Sequence, residues 1–90
     1  MIVLITYDLK SIEKDYTPLY EAIKNCGSDW WHYMESVWIV KTEISPQECF
    51  NRIRESIMEG DRCFIVDITK CSRQGWLPSN AWAWIKEKER

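Results

Sequence analysis

The chain has 90 residues, a formal net charge of −2, 46% apolar and 29% charged residues, and six tryptophans. That length suits one domain over residues 1–90, and the composition is globular, not disordered, collagenous or fibrous. A chain this short buries only about 60–65% of its unfolded surface. So much aromatic surface must therefore sit in a core, in an interface or against a ligand.

The first segment, Met1–Asp8, is β-branched and aromatic and reads as a buried strand. Its apolar run, Ile2 to Ile5, is far too short to span a bilayer, which predicts no membrane partner. No basic leader precedes it, and the expectation is a cytoplasmic protein with four reduced thiols. Leu9–Asp15 reads as a polar loop. Thr17-Pro18 predicts a helix start with Thr17 as cap and Pro18 in the first turn, and Gly27 suits its C-terminal stop. Leu19, Tyr20, Ile23 and Cys26 follow at helical spacing.

Trp30–Met34 and Val37–Thr42 read as two strands joined at Glu35-Ser36, with one long bent strand as the competing reading. Ser45-Pro46-Gln47-Glu48 is a capping box ahead of a helix carrying Cys49, Phe50, Ile53 and Ile57 and ending at Gly60. Arg62–Thr69 is the last core strand. Gly75–Pro78 then breaks the chain, and Ser79 is the expected cap of a short helix bearing Trp82 and Ile85. The order β-α-β-β-α-β, with a core over 1–69 and a Trp-rich extension over 70–90, predicts an α+β, ferredoxin-like domain. It has a four-stranded antiparallel sheet, two helices on one face and a short C-terminal helical tail.

Two helices cover one face only, yet residues alternate apolar on both faces of the first, third and last strands. The tail with Trp76, Trp82 and Trp84 covers part of the second face on this reading, and a two-fold partner covers the rest. The predicted partner is thus a second copy, joined through the sheet face and the tail.

Candidate chemistry is sparse. Cys26, Cys49, Cys63 and Cys71 are spaced 23, 14 and 8 apart, without metal-ligand spacing to His32. Cys49 and Cys63 read as small core hydrophobes. His32 has no triad partner and reads as structural. Asp67 reads as structural, partnered by Lys41 or the Thr69 hydroxyl. Asp8, at a strand end, is the candidate catalytic and metal residue, although one carboxylate per chain is a poor hard-cation site. Arg52, Arg54, Arg62, Lys70 and Arg73 would form a phosphate track only if a shared groove gathered them. Scattered basic residues and net acidity disfavour nucleic acid without excluding a local patch.

Ile5-Thr6-Tyr7-Asp8 resembles the first-strand ending of the CRISPR-associated spacer-acquisition family that partners the integrase, small ferredoxin-like dimers with endoribonuclease-like members. Ser36-Val37-Trp38 is similar to that family's Ser-Val-Phe segment. The Trp-rich middle and Gly-Trp-Leu-Pro at 75–78 resemble its uncharacterised SinR-type branch. The resemblance implies either a Mg-dependent endoribonuclease or deoxyribonuclease with Asp8 from each subunit on the metal, or a non-catalytic nucleic-acid-bridging role. His32 and Met34 stand where the family carries Arg and Gln ahead of Ser-Val-Phe. The leading expectation is a homodimeric, non-catalytic, nucleic-acid-associated or interaction module, with no cofactor unless Mg. The alternatives are the nuclease and a toxin–antitoxin-like protein–protein module.

Overall fold

The computed structural model describes residues 1–10 and 15–90. Residues 11–14, in the expected polar loop, lie outside the described residues. The elements run β1 (Ile2–Asp8), α1 (Thr17–Lys24), β2 (Asp29–Met34), β3 (Val37–Lys41), α2 (Pro46–Ile53), a 3₁₀ turn (Arg54–Ser56), β4 (Arg62–Asp67) and α3 (Ser79–Lys88). The four strands make an open antiparallel sheet in the order β2-β3-β1-β4. Chain reversal at Glu35-Ser36 separates β2 from β3, so the bent single strand does not form.

Register assigns the faces. Val3 lies opposite Val40, and Ile5 opposite both Trp38 and Ile65, so these residues share one face. That inner face packs on Leu19 and Ile23 of α1 and Cys49 and Ile53 of α2, all fully buried. Thr42 is buried beside it, donating to the Cys26 carbonyl at 2.6 Å and accepting from the Ile44 N–H at 3.1 Å, which satisfies the hydroxyl.

Ile2, Leu4 and Thr6, with Val37 and Ile39 and with Phe64 and Val66, form the outer face. The C-terminal segment lies across one end of it, burying Ala81 and Ile85 against Ile2, Trp31 and Ile39. Of the tail residues expected to cover the second face, Trp82 and Trp84 pack against it, whereas Trp76 is fully exposed and covers none of it.

Several local expectations need correction. Thr17 is the first residue of α1, not its cap; Asp15 Oδ1 accepts its N–H at 2.9 Å, with Tyr16 at the cap position. Gly27 has no left-handed φ. Its role is close approach, because a Cβ there would collide with the Lys41 carbonyl oxygen on β3. The second helix ends at Ile53 and tightens into the 3₁₀ turn, and it is Gly60 that takes the positive φ, 92°. The last strand stops at Asp67, where Asp67 Oδ1 accepts from the Thr69 hydroxyl at 2.6 Å and the Thr69 N–H at 2.9 Å. Ser79 is the first helical residue of α3, capped by Pro78 without a side-chain bond. Among the described residues no helix is long and apolar enough to cross a membrane.

Candidate functional site

The outer face divides into a covered end and an open end. At the covered end, α3 is tied to β2 through Asp29, whose Oδ2 accepts from the Trp84 indole N–H at 3.2 Å and pairs with Lys88 at 3.2 Å. Burial pushes the Asp29 carboxyl up, but the Trp30 N–H, Lys88 and Trp84 outweigh it and hold the group below its ordinary value. A second tie joins the connection after β4 to the end of α3. Arg73 bridges Glu89 at 2.6 Å while also donating to the Ile68 carbonyl at 3.1 Å, and Glu89 accepts the Lys70 N–H at 2.7 Å. Arg73 first, and the Lys70 N–H second, pull the Glu89 carboxyl down. Lys70 itself turns through a left-handed φ of 55°, which sends the chain back over the sheet.

Between this 71–77 strap and the sheet lies a cavity of about 390 Å³. Its walls include Leu4, Trp31, Ile39, Ile68, Leu77 and Ile85. Trp31 is only 4% exposed, and its indole Nε1 is the buried side-chain nitrogen or oxygen left without a hydrogen-bond partner among the described residues. Trp76 stands at the rim, 100% exposed. Toward the open end, Phe64 is 63% exposed, Met34 49% and Tyr33 74%. The β-bulge between Trp31 and Met34 breaks the simple alternation of β2, and the Tyr33 ring stands edge-on to Trp31 with centroids 5.2 Å apart.

Asp8 extends the outer-face alternation to the same open end, opposite Arg62 in register. Its carboxylate is exposed and pairs with Lys10 at 2.8 Å. Magnesium takes near-octahedral oxygen ligation. One carboxylate already held by an ammonium does not supply that, and no group of three or more His, Cys, Asp or Glu suited to a metal forms among the described residues. Within one chain the residues do not fit the ion.

The other candidates are engaged in packing. The His32 ring stacks on Trp38 at 3.8 Å, with 6° between planes, and its Nδ1 lies 2.9 Å from the Val37 carbonyl. A carbonyl only accepts, so Nδ1 carries the proton. Trp38 Nε1 donates to the Tyr7 hydroxyl at 3.0 Å, and that hydroxyl donates to the Glu35 carbonyl at 3.2 Å. Burial pushes the Tyr7 phenol up, so it stays protonated around neutrality. All four cysteines are free, with Cys26 and Cys49 buried. Cys49 beside it, and then burial, push the Cys26 thiol up. Three of the five candidate basic residues are held by separate neighbours. Arg52 lies 3.8 Å from Glu48, Arg54 sits 5.8 Å from the Phe50 ring centre, and Arg73 is taken by Glu89.

The strap cavity was missed by sequence reasoning. The alternation that puts Trp31 opposite Trp30 on the strand was readable, but the shape of the 71–77 connection was not. No protein-family model, curated protein or solved structure matches this chain.

Proposed function

We propose that the protein is a small non-catalytic interaction module that works as a homodimer through the open end of its outer sheet face. The observation that carries this reading is the apolar surface left there, with Phe64, Met34 and Tyr33 all exposed beside Val37 and Val66. Contiguous apolar surface of this kind marks an interaction site on a soluble monomer, and two-fold pairing is its commonest use. Engagement of Arg52, Arg73, Lys10 and Lys88 by carboxylates favours a protein partner over phosphates. The β-α-β-β-α-β order with strand order β2-β3-β1-β4 supports the ferredoxin-like assignment and, with it, kinship to the CRISPR spacer-acquisition family and its SinR-type branch.

Sedimentation equilibrium tests the dimer. Wild type should sediment at twice the 10.8 kDa chain mass, and Phe64→Glu, which puts a charge into the patch, at the chain mass. A wild-type monomer at all concentrations overturns the reading. A second reading, the Mg-dependent nuclease with Asp8 from each subunit, draws on the place of Asp8 on this same face. It requires Mg-dependent cleavage of RNA or DNA that Asp8→Asn abolishes.

A further inference from the structure

We infer that the free edge of β4 takes one extended strand of a partner protein, running antiparallel, apolar at alternate positions and acidic at its C-terminal end. Backbone direction decides which groups that edge offers. The Ile68 N–H donates to the Ile2 carbonyl at 3.1 Å. Met1 and Tyr7 instead bond toward β3, through the Thr42 N–H at 3.0 Å and the Ser36 carbonyl at 3.3 Å. Antiparallel ladders alternate, so even-numbered residues of β1 and β4 bond to each other, and the N–H and C=O groups of Cys63 and Ile65 point off the sheet. Among the described residues no strand pairs on that side.

Sheets guard such edges with bulges, charges or a cover. The opposite edge, β2, has its bulge between Trp31 and Met34 and its Asp29 tied to α3. β4 keeps unbroken register with β1, and its central run Cys63-Phe64-Ile65-Val66 contains neither charge nor proline. Beside it, toward α2, lies a cavity of about 270 Å³ lined by Pro46, Gln47, Phe50, Cys63, Phe64 and Ile65. Directly opposed residues of antiparallel strands share a face. Guest residues paired with Cys63 and Ile65 therefore turn their side chains toward α2, two positions apart. An extended chain meets both demands at once, main-chain bonds along the edge and alternate side chains in the groove.

Charge sets the guest's direction. Arg54 lies over the Phe50 ring and Arg62 opens β4, and neither forms an ion pair among the described residues. Asp8, opposite Arg62, is taken by Lys10. Asp67 closes the strand. Antiparallel entry brings the guest's C-terminal end to Arg62 and its N-terminal end to Asp67.

The probe is acetyl-Thr-Val-Thr-Val-Thr-Glu amide, titrated into ¹⁵N-labelled wild type beside the same peptide ending in Lys. The Cys63 and Ile65 amides should shift saturably and gain protection from exchange, while Phe64 and Val66, already bonded to β1, keep theirs. The Glu peptide should bind about two- to fivefold tighter than the Lys peptide, the effect of one exposed ion pair. Arg62→Gln should remove that difference, and proline in place of the second Val should abolish binding. No change at Cys63 and Ile65 up to the peptide's solubility limit, equal affinity of the Glu and Lys peptides, or undiminished binding of the proline peptide overturns the proposal. Protection at Cys63 and Ile65 that rises with protein concentration in the absence of peptide also overturns it, and makes a second copy the occupant. Failure of the dimer through the outer face shows separately, in sedimentation without peptide.

Discussion

The two faces of the sheet are both apolar, yet they are finished differently. The inner face is closed by α1 and α2, and its core runs without interruption from Val3 and Val40 to Tyr7 and Trp38. The outer face is closed by one ten-residue helix and a strap, anchored largely by polar ties at Asp29 and Glu89. Burial on two helices fixes the inner face as the source of stability. The outer face is half covered and leaves aromatic side chains, Phe64 and Tyr33, exposed at its open end.

The contrast can be broken first by truncating each core. Ile53→Ala, at a fully buried inner site, should cost about 3–5 kcal/mol in urea unfolding, and Ile85→Ala, on the buried side of α3, nearer 2 kcal/mol. Equal losses would make the outer cluster a full partner in the fold. Gly27→Ala should cost about 1–3 kcal/mol, since β3 must retreat from the added methyl at the Lys41 carbonyl. Acid should act on the outer-face ties and also on Asp61, whose carboxyl the Lys10 N–H, first, then the Met58 N–H and the Tyr16 hydroxyl hold below its ordinary value. The depressed Asp29 and Glu89 carboxyls contribute stability that is present above the ordinary carboxylate range, about 4, and lost as pH falls through their lower folded values. Amide exchange at Ile85 should therefore rise on acidification before exchange at Ile23 does. Asp29→Asn should reproduce the loosening at neutral pH, by no more than about 1 kcal/mol for so exposed a group. Smallest of all, Phe64→Glu should change monomer stability by less than about 0.5 kcal/mol, because its side chain is mostly in water.

Element identities were legible because periodicity is local. The alternation of Ile2 to Tyr7 and the capping signal at Ser45, whose Oγ accepts the Glu48 N–H at 3.1 Å, needed nothing from elsewhere in the chain. The reciprocal half of that capping box is replaced, with the Glu48 carboxylate turned to Arg52 and Asn51. Legibility failed where the cause was distant or duplicated. Thr17 was read as the cap, whereas the carboxylate of Asp15, placed in the preceding loop, takes the bond from its N–H. The reason for Gly27 lies on β3, fourteen positions away at Lys41. Apolar alternation showed that the outer face needed a cover, and the tail was the right one. The strap cavity arises from how residues 71–77 cross the sheet, which no periodicity encodes.

The claim that the open end of the outer face is the working surface is tested most directly by methyl NMR of the wild type on dilution. The account predicts that Thr6, Val37 and Val66 shift with concentration while Ala81 and Ile85, on the buried side of α3, hold still. Movement of Ala81 and Ile85 together with the open end, or no movement at Thr6, Val37 and Val66, would contradict it.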